Sequence, residues 1–119
     1  MTLRALIVAA LAASTLVAGQ ASAHAKLVAS DPAANATVAA PKTVSLTFNE
    51  KLAPAFSTFE IARADGVKIP VRTTVSKDRK TVSGAPRDRL AAGAYKVTWR
   101  VAAADDGHRM DGIVTFTVK

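Results

Sequence analysis

The chain has no cysteine, and its 119 residues include only two histidines, two methionines, one tryptophan, one tyrosine and four phenylalanines. Without cysteine there is no disulfide, no thiolate metal ligand and no lipid-attachment residue. Stability must come from a packed core, and a metal site must use nitrogen and oxygen donors, or the thioether of Met110. Aromatics are few and no basic run is interleaved with them, so a stacking nucleic-acid face is poorly supported. The lysines and arginines are scattered along the chain, as on a basic solvated surface. Long apolar runs are also missing, except at the start.

That start reads as a secretory leader. Arg4 supplies a positive beginning, residues 5–17 form an apolar run, and Ala21-Ser22-Ala23 fits the small-x-small pattern read by signal peptidase. The run is short for a membrane span, which needs about 20 apolar residues. Cleavage after Ala23 is therefore expected, leaving a soluble periplasmic domain over residues 24–119. All acidic residues lie beyond position 23, so loss of Arg4 lowers the formal charge from +7 to +6. About 96 residues suffice for one domain and not for two.

Those residues alternate with period two. Val44, Leu46 and Phe48 alternate with Thr43, Ser45 and Thr47; Tyr95, Val97, Trp99 and Val101 with Lys96, Thr98 and Arg100; Val114, Phe116 and Val118 with Thr115, Thr117 and Lys119. Each set places one face in a core and the other in water. Further strands are expected over residues 26–30, 56–63, 67–71, 73–76 and 81–84. Turns are expected at Asp31-Pro32, Asp65-Gly66, Lys77-Asp78-Arg79 and Ala92-Gly93. Helix signals are weak beyond the leader. The expectation is an all-β, seven-stranded Greek-key sandwich or barrel, immunoglobulin-like in outline and without a disulfide. Trp99, at mid-strand, is expected in the core.

The two histidines fall outside the strands. His24 would become the new N-terminus, and His108 lies in a loop over residues 103–112. An N-terminal histidine offers its α-amine and imidazole to one ion in a single chelate ring. His108 would complete a planar three-nitrogen set, the geometry favoured by copper(II). If its segment is extended, Asp106 points to the same side as His108 and adds a carboxylate oxygen. Spacing alone leaves open whether the N-terminus meets this loop.

From His24 onward the sequence resembles the CopC family of periplasmic copper-binding proteins. The resemblance rests on His24-Ala25-Lys26-Leu27-Val28-Ala29-Ser30-Asp31-Pro32, Val44-Ser45-Leu46-Thr47-Phe48-Asn49-Glu50, Gly93 to Val101, Asp106-Gly107-His108 and Gly112 to Val118, in that order. It implies a seven-stranded Greek-key barrel or sandwich of cupredoxin-like outline. It also implies one copper(II) ion per chain, held by His24, Asp106 and His108. The family's acidic residue falls on Glu50, either beside the site, where it would orient an imidazole, or as a plain surface glutamate. A methionine-rich copper(I) site, found in some members, is not expected, because residues 61–74 contain no methionine.

Three functions follow from these readings. The leading one is a non-enzymatic, monomeric copper carrier in the periplasm, serving copper homeostasis or resistance. Its partners would be an inner-membrane copper transporter or another periplasmic copper protein, with no nucleic acid. The same histidine brace serves copper-dependent polysaccharide monooxygenases, but this chain is short for their substrate face, and Asp106 would occupy the position where oxygen binds. A metal-free immunoglobulin-like module is the third.

Overall fold

The computed structural model describes residues 25–119; the expected leader, residues 1–23, and His24 lie outside them. Nine strands follow one another: β1 (Leu27–Asp31), β2 (Thr37–Val38), β3 (Val44–Phe48), β4 (Thr58–Arg63), β5 (Lys68–Ile69), β6 (Val71–Val75), β7 (Thr81–Pro86), β8 (Gly93–Ala102) and β9 (Arg109–Val118). They form a four-stranded sheet in the order β1-β3-β7-β6 and a five-stranded sheet in the order β2-β9-β8-β4-β5. Seven of the strands have five residues or more, which accounts for the seven expected from the sequence. The other two are two-residue pairings, too short to carry a period-two signal.

The alternation does what it dictates. Val44, Leu46 and Phe48 of β3 are buried, as are Tyr95, Val97, Trp99 and Val101 of β8 and Val114, Phe116 and Val118 of β9. Phe59 and Ile61 of β4, Val82 of β7 and Leu52 complete the centre of the core. Each such side chain contributes about 1.5–3 kcal/mol by leaving water. Phe48 meets Trp99 edge to face at 5.1 Å across the two sheets, and Tyr95 stacks on Phe116 at 5.5 Å. The Tyr95 hydroxyl donates to the Ala91 carbonyl at 2.7 Å, so its polar end is satisfied at the rim.

Several boundaries differ from the sequence expectation, each for a local reason. Pro54–Phe56 forms a single 3-10 turn, so the strand expected from residue 56 starts at Thr58. Pro70, which lacks an N–H for a ladder, separates β5 from β6 where the chain passes between sheets. β2 runs parallel to β9, pairing Thr37 with Thr117, after Asn35 turns the chain at φ 64°. The last loop is shorter than residues 103–112, because β9 starts at Arg109, opposite Ala102.

Gly112 is required by close approach. It lies opposite Trp99 in the ladder, and a Cβ there would sit 2.3 Å from Cζ2 of the indole. Gly112→Ala should cost about 1–3 kcal/mol through overpacking, seen as a lower urea midpoint with an unchanged slope.

Two turns contribute to the acid response. Hydrogen bonds from the Arg63 guanidinium and the Val67 N–H hold the Asp65 carboxyl below the usual carboxylate range, and the Ser76 hydroxyl and Lys80 N–H do the same for Asp78. A carboxyl lowered in the folded state stabilises it above the unfolded pKa, and that stability is lost as pH falls through the folded value. Melting temperature measured from pH 6 to 2 should therefore fall below about pH 4. The combined Asp65→Asn and Asp78→Asn variant should show a shallower fall.

Candidate metal centre

One end of the sandwich is assembled around the segment that follows β3. Lys26 and Asn49 are joined in both directions: the Lys26 N–H donates to Asn49 Oδ1 at 2.6 Å, and the Asn49 N–H donates to the Lys26 carbonyl at 3.0 Å. Ala25, the first described residue, is in the core at 1% exposure. A bulge at Val28 breaks the β1–β3 register between Leu27 and Ala29, a device that locally re-aims a strand. The start of the described chain is therefore seated against residues 49–51.

The same segment holds the β8–β9 loop. The Ala104 N–H donates to the Lys51 carbonyl at 2.9 Å, Leu52 bridges Ala103, and the Ala53 N–H donates to the Ala102 carbonyl at 2.8 Å. Within the loop, the Gly107 N–H donates to the Ala103 carbonyl at 3.0 Å and the Ala103 N–H to the His108 carbonyl at 2.9 Å. Gly107 takes φ 71°, a left-handed conformation that glycine adopts without strain.

The condition of a fully extended segment is not met: Ala104 to Asp106 form a turn, and Gly107 and His108 lie between it and β9. Asp106 Oδ1 accepts the His108 N–H at 3.0 Å, an Asx-type closure that competes locally with a strand. The carboxylate is thus held at the backbone of His108 by the turn and not by alternation. Both residues are exposed to solvent.

Glu50 is half-buried. Its Oε2 is buried and has no hydrogen-bond partner among the described residues. It lines a surface depression of about 450 Å³ together with Asn49, Lys51, Lys80, Ala104 and Asp105. A buried carboxylate oxygen calls for a donor or a cation.

The other predicted residues fall as follows. His24 lies outside the described residues. Among the described residues, no three His, Cys, Asp or Glu side chains converge on one point. What is described of the site is the Asp106–His108 turn and Glu50, drawn to one end of the sandwich. Met110 belongs to β9, pairs with Val101 and packs partly buried against the core. Sequence reasoning gave no role to Asn49, whose side chain pins the start of the chain. Its position immediately after a strand, where amide side chains commonly close turns, was the available signal.

The fold and this end of it define a small cupredoxin-like β sandwich, with carboxylate and imidazole side chains on the loops at one end. The CopC domain model matches residues 27–119, and the chain belongs to the CopC family. It is 38% identical over 114 residues to copper resistance protein C of Xanthomonas campestris pv. juglandis, covering 90% of this chain and 89% of that one. Copper resistance protein C of Pseudomonas syringae pv. tomato is 40% identical over 115 residues, covering 91% and 90%. The crystal structure of PcoC, a methionine-rich copper resistance protein from Escherichia coli, superposes with a TM-score of 0.75 at 34% identity, covering 82% of this chain and 100% of that one. This chain is not methionine-rich: Met110 is its one methionine beyond Met1.

Asp106→Ala should leave the sheets intact and release the His108 amide. The lost bond, worth about 1 kcal/mol, should speed exchange of that amide by roughly fivefold in a hydrogen-exchange measurement, with β8 and β9 core amides unchanged.

Proposed function

We propose that this protein is a periplasmic copper(II)-binding protein of copper homeostasis and resistance. It is exported with cleavage after Ala23. It takes up one ion through the His24 amine and imidazole, the His108 imidazole and the Asp106 carboxylate. Copper is its cargo: the activity is capture, buffering and release, with no catalytic turnover. The recipient or donor is an inner-membrane copper transporter or another periplasmic copper protein, and the carrier itself is monomeric.

One observation carries this reading. The Lys26–Asn49 pair and the Ala104–Lys51 bond fasten the start of the described chain and the Asp106–His108 loop to the same three-residue segment. His24 is bonded to Ala25, which that segment seats, so the chain topology supports a meeting of the two histidines. The donor chemistry agrees. Two imidazoles, an amine and a carboxylate suit copper(II), which also leads the order of divalent affinities. The soft copper(I) ion prefers thioethers, and this chain has a single methionine past its start, packed on the core. Glu50 beside the site supplies an acceptor that would orient a ligand N–H.

Four residues have distinct tasks in this scheme. His24 chelates with two nitrogens, and its amine exists as a free donor only after export. His108 supplies the opposing nitrogen. Asp106 keeps one oxygen on the His108 backbone while its charge offsets that of the ion. Because the nitrogen donors must shed protons before they bind, uptake releases protons and weakens in acid.

Titration of the processed protein with copper(II) should give a one-to-one complex with nitrogen hyperfine structure in its paramagnetic resonance spectrum. His108→Ala, or acetylation of the amine, should weaken binding by more than about 100-fold, beyond the 10–100-fold expected for Glu50→Gln. The mass of the exported protein should correspond to a chain starting at His24. A start one residue away, or an unchanged affinity in His108→Ala, would refute the scheme.

A further inference from the structure

Beside the turn that carries His108, Phe56 stands with 60% of its surface exposed. A lone exposed apolar side chain is ordinary, but this one rests on a built support. The Phe56 N–H donates to the Ala53 carbonyl at 3.1 Å, and the Ala53 N–H donates to Ala102. Buried Ser57 donates its hydroxyl to the same Ala53 carbonyl at 2.8 Å and accepts the Ala102 N–H at 3.2 Å. These bonds fix the 3-10 turn at the end of β8, so the ring is held outward on a rigid base.

Its surroundings are cationic. The Arg109 guanidinium lies over the ring, 5.4 Å from its centroid. Phe56, Arg100, Arg109, Asp111 and half-buried Met110 line a shallow depression of about 280 Å³. The ion pairs formed among the described residues are Arg63–Asp65, Lys68–Glu60 and Arg87–Asp88, so Arg100 and Arg109 remain without a carboxylate partner. An aromatic ring flanked by arginines has the composition of an interface hot spot, and guanidinium forks match carboxylates bidentately.

We propose that this face docks an acidic protein segment, which packs an aliphatic side chain on Phe56 and places carboxylates on Arg100 and Arg109. The partner is negative because the face and the chain, at formal charge +6 without Arg4, are positive. Complementary charge speeds encounter and fixes orientation more than it deepens affinity. Arg109 directly follows His108, so a segment seated here lies next to the candidate copper ligand. The partner's role as the protein that exchanges copper with this one rests on the function proposed above; the docking face itself does not.

The test is a nitrogen-15 NMR titration of the purified protein with the acetylated hexapeptide Glu-Glu-Leu-Glu-Glu-Leu. Saturable, salt-weakened shifts are expected at the amides of Phe56, Arg100 and Arg109 to Asp111. The peptide with lysine in place of glutamate should produce none. Phe56→Ala and Arg100→Gln should each weaken binding by about tenfold, while Arg87→Gln, on the loop after β7, should not. Equal binding of the lysine peptide, shifts centred elsewhere, or undiminished affinity in both variants would overturn the proposal. Copper(II) titration of the same samples separates the two ideas. Peptide docking without copper binding removes the proposed function and keeps the face; copper binding without docking does the reverse.

Discussion

The end of this protein that carries the candidate site depends on one short seam of hydrogen bonds, where residues 49–53 meet Lys26 on one side and Ala102 to Ala104 on the other. A loop bearing candidate ligands gains little from the sandwich unless its ends are fixed. Here the ends of β8 and β9 are joined through Ala103 and His108, and Lys51 and Ala53 tie that junction to the opposite sheet's connection. The interior beneath is apolar, with Leu52 and Ala103 both buried at the seam. Donors placed on such a base lose less entropy when an ion binds, because most of the ordering is already done.

The seam also explains a division of labour. Core positions on β3, β8 and β9 set stability, and residues outside the ladders set chemistry. Asp106 and His108 sit in a solvent-exposed turn, Glu50 in the first residue pair beyond β3, and Phe56 in the 3-10 turn before β4. These loops can vary without disturbing the sheets. The methionine-poor character of this chain beside the methionine-rich Escherichia coli relative shows such variation on a shared fold.

Much of the fold was legible in the chain. The strict alternation in β3, β8 and β9 announced which side chains are buried, since a strand with one wet face must repeat every two residues. Trp99 in the core and the turn at Asp65-Gly66 followed in the same way. What escaped was non-local or too short. β2 exists because two residues happen to lie along β9, and the break at Pro70 matters only because the chain changes sheets there. At the candidate site, residue types indicated His108, Asp106 and Glu50, but the extended segment on which the period-two argument for Asp106 was conditional is replaced by a turn, with Gly107 at positive φ and the Asp106 side chain closing on the His108 N–H.

The sequence by itself determined that the chain is a cysteine-free β domain, with any metal donors limited to nitrogen and oxygen apart from the two methionines. Those are matters of composition and local period, which need no knowledge of distant contacts. Only the tertiary structure decided that residues 49–51 touch both Lys26 and the β8–β9 loop, that Glu50 keeps a buried unpartnered oxygen, that Met110 belongs to the core, and that Phe56 stands beside unpaired arginines. The reason is separation along the chain. Lys26, Asn49 and Ala104 are brought together by a sandwich whose two sheets exchange strands, and no local pattern encodes that meeting.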